Sequence, residues 1–208
     1  MPTQQFAIER NGPKRIQVTW SGMWKEFTVS FDGQQAGTWT KDELTQGKEV
    51  SLPDGSTFKA HLRRVGMGQE LALLRNGMPL PGSAADPVQL VKTAAGILYF
   101  LAGLQALLGV VAIVGRVEFL LNLGMGIPSI VVGAVLGVLG FFTMQRSRIA
   151  LGIAMALYAA DGLYTLVAGL DGGRPPIGSI VIHVLFLTAM WRGFKAMGEL
   201  SASQQPAA

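Results

Sequence analysis

Asp161 and His183 are the two residues whose types and spacing could do chemistry in the apolar C-terminal half of the chain. If the segments around them form a helical hairpin that turns near Gly172, Asp161 lies about 12 residues before the turn and His183 about 10 after it. At 1.5 Å per residue, the two then differ in depth by about 3 Å. A lone carboxylate in the middle of a bilayer is costly, so Asp161 should be paired, neutral or facing water. The spacing therefore predicts an intramembrane polar pair.

Four more polar residues could extend this pair into a polar seam, since they share its helix faces or its depth: Tyr158, Thr165, Ser179 and Gln105. Two interpretations of the seam stay open. In the first, the pair is a hydrogen bond that locks two helices together. In the second, the pair titrates and serves a proton-linked or solute pathway.

The chain lacks the usual sequence motifs of catalysis. It contains no G-x-S-x-G, no H-E-x-x-H, no phosphate-binding G-x-x-x-x-G-K-[ST], and no G-x-G-x-x-G between a strand and a helix. Without cysteine, disulfides and thiolate metal sites are excluded. His61 and His183 fall in different halves and cannot build a metal site together. We therefore expect a non-enzymatic protein with no catalytic residues, no metal and no cofactor.

Charge divides the chain into two halves. Residues 1–86 carry 10 of the 17 Lys and Arg and 9 of the 13 Asp and Glu, which leaves seven basic and four acidic side chains for residues 87–208. Two halves in different solvents explain this division better than one mixed core. The excess of basic charge lies in the apolar half, where basic residues set membrane topology. We therefore expect no nucleic-acid partner.

The N-terminal half has the pattern of β-strands. Polar and apolar residues alternate in residues 15–20, 25–31 and 57–62, as is typical of half-buried strands. A fourth alternating run begins at Leu71. The breaks are dipeptides that tolerate positive φ: Asp32-Gly33, Asp54-Gly55 and Asn76-Gly77. We predict six or seven short antiparallel strands in a β-sandwich or partly open barrel over residues 1–86.

The turn residues of this half also carry a resemblance to known proteins. The Asp32-Gly33 turn is followed by Leu-Pro-Asp-Gly-Ser at 52–56 and by Leu-Arg-Asn-Gly-Met-Pro-Leu-Pro-Gly-Ser at 74–83. This meander resembles N-terminal modules of uncharacterised bacterial four-helix membrane proteins, and it is similar to the β-sandwich of Fas apoptotic inhibitory molecules. The resemblance implies a binding or scaffolding role and transfers no functional residue.

Four long apolar runs follow, each close to the roughly 20 residues needed to cross a bilayer core. In lipid the backbone must satisfy its own hydrogen bonds, which makes each run a helix. Short links make neighbouring helices antiparallel and predict an up-down four-helix transmembrane bundle. The expected transmembrane domain is 87–198, before a flexible tail at 199–208, and its spans are about 91–115, 119–144, 148–170 and 176–196.

Basic residues near the span ends predict the orientation. Arg116 and Arg174 lie on one side, against six on the other: Arg75, Lys92, Arg146, Arg148, Arg192 and Lys195. This places both termini in the cytoplasm and the chain, as a multi-pass protein, in the cytoplasmic (inner) membrane. The lipid bilayer is then the first expected partner.

Gly133 and Gly137 form a small-xxx-small pair in the second apolar run. Such a pair lets helix backbones approach closely, either within the bundle or between two copies in a homo-oligomer. For function, the leading hypothesis is a non-enzymatic membrane protein whose cytoplasmic β domain binds or scaffolds a protein partner. The alternative is a small oligomeric transporter or proton-coupled channel that uses Asp161 and His183.

Overall fold

The computed structural model describes residues 1–65, 68–122, 124–171 and 177–202. The chain divides into two compact units, Met1–Gln89 and Leu90–Ala208, called unit 1 and unit 2 below. Antiparallel sheets lie in the first unit, and four long apolar helices follow them. The predicted α+β organisation, with the sheets first and the helices second, is confirmed.

Unit 1 contains two four-stranded antiparallel sheets whose neighbouring strands follow chain order. The strands of the first are β1 (Thr3–Ala7), β2 (Lys14–Trp20), β3 (Glu26–Phe31) and β4 (Gln34–Thr40). Those of the second are β5 (Lys48–Ser51), β6 (Thr57–Val65), β7 (Gly68–Arg75) and β8 (Met78–Pro79). The described strands number eight, where six or seven were expected. The named alternating runs correspond to β2, β3, β6 and β7, and they did not indicate β1, β4, β5 or β8.

Two-residue turns set the register of the hairpins. Asp32 and Gly33 have φ values of 48° and 82°, and Asn76 and Gly77 have values of 49° and 76°. Positive φ at both central residues is the turn geometry that matches the twist of antiparallel strands. Asp-Gly and Asn-Gly adopt it at low cost, so the sequence places these turns correctly.

The core of unit 1 is built from the inward faces of both sheets. Ile16, Val18 and Phe27 are fully buried, as period-two alternation requires. Three stacked aromatic rings join the sheets: Phe27 and Trp39 lie 5.5 Å apart, and Trp39 and Phe58 lie 6.0 Å apart. This core is shared by strands from both sheets.

A short helix, α1 (Lys41–Gln46), lies between the sheets in sequence and was not predicted. Its signals were present in the chain. Thr40 and Glu43 form a reciprocal capping box at the start, and Gly47 ends the helix with φ of 79°. Leu44 buries its side chain in the core of unit 1 and fixes the helix there.

Unit 2 is helical. Its elements are α2 (Pro87–Val114), α3 (Glu118–Asn122), α4 (Ile127–Met144), α5 (Arg148–Asp171) and α6 (Ile177–Ala202). All except α3 are long and apolar enough to cross a membrane. Even α4, with 18 residues, extends about 27 Å, close to the thickness of a bilayer core.

The second expected span, 119–144, is not one continuous helix. Gly124 has φ of 75°, a left-handed conformation that a helix cannot contain. Gly126 then serves as the N-cap of α4, and Pro128 occupies its first turn, where the missing N–H is not needed. Glycine and proline therefore divide this apolar run into α3 and α4.

Two further expectations concern the last helix. Residues 199–202, expected to belong to a flexible tail, are the end of α6; residues 203–208 lie outside the described part of the chain. The turn expected near Gly172 and the expected start of the last span at 176 also lie outside it, since residues 172–176 are not described.

Neighbouring long helices pack antiparallel. A Cβ on Gly133 would lie 2.8 Å from the carbonyl oxygen of Ala102, and one on Gly140 would lie 3.3 Å from the Leu98 Cβ. Residue numbers therefore rise along α4 as they fall along α2. The same holds for α5 and α6, where Gly162 meets His183 near mid-helix and Gly198 meets Arg148 at the end.

Candidate functional site

The two residues at the centre of the predicted pair lie together in the structure. Asp161 is near the middle of α5, and its Oδ2 lies 3.1 Å from Nε2 of His183 on α6. A Cβ on Gly162 would lie only 2.7 Å from Cδ2 of His183. Glycine at this position therefore makes the room in which the imidazole packs against α5.

Hydrogen bonding determines where the protons of this pair lie. Nδ1 of His183 is 2.8 Å from the carbonyl oxygen of Ser179, one turn earlier on α6. A carbonyl oxygen only accepts, so Nδ1 carries a hydrogen and donates it. Nε2 can then face the carboxyl oxygen of Asp161 favourably only with one proton between them. As imidazolium with carboxylate, or as imidazole with carboxylic acid, the pair holds one shared proton and has no net charge.

The imidazole ring of His183 is packed against an aromatic side chain of α5. Tyr158 stacks on the ring with a centroid distance of 4.5 Å and an angle of 16°. Phe186 packs on Tyr158 at 6.2 Å. The side chain of His183 is consequently 13% exposed, whereas that of Asp161 is 59% exposed. Of the two partners, the carboxyl group is the accessible one.

The other predicted members of the seam have different roles. The Ser179 hydroxyl lies 3.4 Å from Nδ1 of His183, so Ser179 contacts the ring through both its oxygen atoms. The Thr165 hydroxyl donates to the backbone carbonyl of Asp161 at 2.9 Å and not to the carboxylate. Tyr158 and Ser179 therefore join the pair directly, and Thr165 is engaged by its own helix.

Gln105 belongs to a pocket that borders the pair. The pocket has a volume of about 360 Å³ and lies between α2, α4 and α5. The polar groups of its lining are the amide of Gln105, the phenol of Tyr158 and the carboxyl group of Asp161. The other lining residues are aliphatic: Leu101, Val131, Val132, Val135, Leu136 and Leu157. The α4 residues were missed from sequence, although their i, i+1, i+4, i+5 spacing marks one helix face.

The small-residue pair lies on the face of α4 that packs on α2. A Cβ on Gly133 would be 2.8 Å from the Ala102 carbonyl oxygen, and one on Gly137 would be 3.8 Å from the Ala102 Cβ. Of the two possibilities weighed for Gly133 and Gly137, this is packing within one chain. The face is already occupied by α2 of the same copy.

Unit 1 contains a stacked pair of tryptophans, one of which has a strained backbone. The rings of Trp20 and Trp24 are stacked with centroids 4.9 Å apart, and both side chains are half-buried. Trp24 has φ of 69°, a backbone conformation that costs free energy for a bulky residue and persists only where the surrounding structure enforces it.

His61 is half-buried on the face of β6 that faces away from Phe58 and Leu62.

In the part of the chain that the structure describes, no three His, Cys, Asp or Glu residues are grouped so that they could hold a metal ion. Comparison with models of protein families, with curated proteins and with solved structures gives no match to this chain. The Asp161–His183 pair and the pocket beside it are therefore the features from which function has to be argued.

Proposed function

We propose that this chain is a multi-pass protein of the cytoplasmic membrane in which α2, α4, α5 and α6 form an up-down transmembrane bundle with both termini in the cytoplasm. Large apolar side chains exposed along these helices support a lipid surrounding. So does the aromatic and basic end of α6. There the Arg148 guanidinium lies 4.7 Å from the Phe194 ring centroid, and the Lys195 ammonium 5.6 Å from that of Trp191, as in interfacial anchors.

Within this bundle, we propose a proton-linked transport function for the Asp161–His183 pair. The observation that carries the proposal is the hydrogen-bond pattern of His183, whose two ring nitrogens contact the Ser179 carbonyl oxygen and Oδ2 of Asp161 and suit one proton shared between Nε2 and Oδ2. Ionisable residues within membrane spans mark ion and solute pathways, and His can exchange protons near neutral pH. The accessible carboxyl group beside the pocket gives that proton a route of exchange. Four helices are few to enclose a path, so the proposed transporter is a homo-oligomer.

Proton flux in proteoliposomes tests this function. Full-length protein is reconstituted with an internal pH-sensitive dye, and an imposed K⁺ diffusion potential drives protons inward. Asp161→Asn should abolish the protein-dependent acidification, since an amide cannot share the proton with His183. Glu118→Gln, which removes a carboxylate from α3, is the matched control and should leave the flux unchanged.

The structural interpretation of the pair predicts a different pattern. If Asp161→Asn lowers the melting temperature in detergent but leaves acidification at the wild-type rate, the pair only fastens α5 to α6. That result would remove the transport proposal.

A second proposal concerns unit 1, which we infer to be a small β-sandwich that binds a cytoplasmic protein partner. The specific observation in its favour is the half-buried, stacked Trp20–Trp24 pair, in which Trp24 has a positive φ. Aromatic residues that combine apolar area with a polar tip are enriched at protein interfaces. The proposed role is non-enzymatic, and it agrees with the scaffolding function that the sequence resemblance implies.

Trp24→Gly is the sharpest test of this second proposal. Glycine adopts φ of 69° without strain, so the variant removes the ring while it favours the native backbone. Crosslinking in native membranes should yield a defined adduct with wild-type protein and with Met78→Ala, an exposed control site on β8. Loss of that adduct in Trp24→Gly alone supports the interface, and an unchanged adduct excludes it.

A further inference from the structure

We propose that the pocket between α2, α4 and α5 binds a small apolar amine in its protonated form and that binding displaces the proton of the Asp161–His183 pair. This inference deepens the transport function proposed above, because it names the class of substrate that the same site would exchange for a proton. It rests on the shape of the pocket, the unpaired polar atoms on its wall and the proton count of the pair.

The walls of the pocket favour a compact aliphatic or aromatic body. Four of the lining side chains come from one face of α4, and three of these are the short valines Val131, Val132 and Val135. Short β-branched side chains leave the space that longer ones would fill. A volume of about 360 Å³ falls at the small end of ligand pockets, which suits a molecule smaller than most drugs.

The polar atoms on the wall favour a hydrogen-bond donor with positive charge. Oδ2 of Asp161 faces His183, while Oδ1 has no hydrogen-bond partner among the residues that the structure describes. The amide of Gln105 likewise has no partner within the described ranges. A carboxylate in an apolar setting is strongly stabilised by a cation, and an ammonium group is one that can donate to both residues.

Exchange of the amine for the proton balances in atoms and charge. Before binding, Asp161 and His183 share one proton and are neutral together. The ammonium donates an N–H to the carboxylate, and the shared proton leaves to water as hydronium. A second N–H of the ammonium takes the place of that proton and is donated to Nε2 of His183. The imidazole stays neutral with its hydrogen on Nδ1, bonded to Ser179, and the ammonium and carboxylate charges cancel. No covalent bond to carbon or nitrogen of the amine forms or breaks.

Few other ionisable groups could supply this proton. Tyr158 on α5 stacks on His183 and also lines the pocket. The lining that α2 and α4 contribute is Gln105 and aliphatic side chains. Within the described residues, His183 contacts Ser179 on its own helix, α6, and the Asp161 carboxyl and the Tyr158 ring on α5. Displacement by an ammonium therefore acts on the pair.

Calorimetric titration with adamantylamine tests the proposal on the full-length protein in detergent. Repeating the titration in buffers of different ionisation enthalpy measures the protons released per amine bound. The expected result is saturable binding with release of about one proton, and affinity that increases with pH because proton and amine compete. Adamantanol, of nearly the same shape but uncharged, should release none. Equal binding of both compounds, or amine binding without proton release, would overturn the inference.

Two valine variants separate the pocket from unspecific partition into detergent. Val132→Phe fills the pocket without changing the pair, and it should weaken adamantylamine binding at least about tenfold. Val138→Phe adds the same ring to the exposed surface of α4 outside the pocket lining and should leave affinity unchanged. Equal effects of the two variants would show that the amine does not occupy the pocket.

Failure of this inference can be told apart from failure of the transport function. If wild-type protein ignores adamantylamine but Asp161→Asn still abolishes proton flux in liposomes, the substrate class is wrong and the proton function stands. If amine binding follows the expected pattern but flux does not depend on Asp161, the site stands without transport. If Val132→Cys, the single cysteine of the chain, oxidises to a disulfide-linked dimer and wild-type protein ignores the amine, a second copy occupies the pocket and the inference is wrong.

Discussion

Unit 1 and unit 2 place their apolar and polar side chains in opposite ways. In unit 1 the large apolar side chains that are exposed, within its described residues, are Met1 and Met78, while ion pairs such as Arg75–Asp54 lie at the surface. In unit 2, α4 turns Val138 and Phe141 outward, with 55% and 54% exposure. With unit 2 in the proposed bilayer, one rule explains both, because each unit presents to its surroundings the groups that those surroundings solvate.

The surroundings of each unit also determine whether a polar side chain needs a functional explanation. A surface ion pair in water contributes little and needs no functional explanation. A carboxyl group within a membrane span is expensive, and the contact of Asp161 with His183, through the proposed sharing of a proton, would offset that cost. An aspartate is therefore expected at the surface of unit 1, whereas an aspartate within a long helix of unit 2 needs a structural or functional explanation.

The largest expected effect on the free energy of unfolding comes from replacing one phenylalanine with alanine in each unit. Phe27 is fully buried in the aromatic stack of unit 1, so Phe27→Ala should reduce the free energy of unfolding by about 4 kcal/mol. Phe142, which is 45% exposed on α4, should lose less than about 1 kcal/mol as alanine, because lipid tails replace its contacts equally well in either state. Urea unfolding of unit 1, followed by tryptophan fluorescence, and unfolding of the helices in SDS, followed by circular dichroism, measure the two effects.

Comparable losses for Phe27→Ala and Phe142→Ala would contradict the comparison. They would mean that the outward face of α4 is packed against protein. A water-facing environment for α4 would instead make Phe142→Ala neutral or favourable for solubility without detergent.

An outward arginine probes the two solvents directly. Leu107 on α2 is 60% exposed, and Met78 on β8 is 69% exposed. Leu107→Arg should raise the apparent free energy of membrane insertion by about 3 kcal/mol, because a charged side chain replaces an apolar one within a span. Met78→Arg should change the free energy of unfolding of unit 1 by less than about 0.5 kcal/mol. A glycosylation-based insertion assay measures the first effect, and an unchanged inserted fraction would place α2 outside the bilayer core.

Two glycines of unit 2, Gly162 and Gly103, differ in how closely other residues approach them. A Cβ at Gly162 would lie 2.7 Å from His183, whereas one at Gly103 would meet nothing within 4 Å. Gly162→Ala should therefore destabilise the packing of α5 on α6 by about 2 kcal/mol, through overpacking. Gly103→Ala should be neutral or stabilising by less than about 1 kcal/mol, because alanine is the better helix former. Unfolding in SDS, followed by circular dichroism, measures both, and stabilisation by Gly162→Ala would show that His183 does not pack there.

Sequence periodicity predicted the parts of the fold that depend on local rules. Alternation placed Ile16 and Val18 in the core, and Asp32-Gly33 predicted its hairpin, because one face and one turn type decide each. Hairpin symmetry and helical rise brought Asp161 and His183 to one depth, and the structure places their side chains 3.1 Å apart. Depth along a helix follows from counting residues.

Features that depend on how helices rotate and approach one another were not accessible from counting. The valine wall beside Asp161 exists because α2, α4 and α5 turn particular faces toward one another, and no spacing within one segment specifies that. The capping box of Thr40 and Glu43 is different, since its local signal was present and overlooked. The division of the second span at Gly124 required knowing that its φ is positive.

The smallest expected effect concerns acid and belongs to unit 1 alone. Hydrogen bonds from the side chain and backbone of Ser56, and then the Arg75 guanidinium, lower the pKa of Asp54 from 3.8 to about 2. Because the folded pKa lies below the unfolded one, the stabilisation is complete above about pH 4 and is lost as pH falls toward 2. Ser56→Ala removes the largest cause, so the unfolding midpoint of unit 1 in urea should depend less on pH between 4 and 2. An equally steep dependence in Ser56→Ala would assign the acid sensitivity to other carboxylates, such as Asp32, whose pKa is also lowered by its hydrogen bond with Arg15. The helices, which carry few carboxylates, should show no matching transition in circular dichroism over this range.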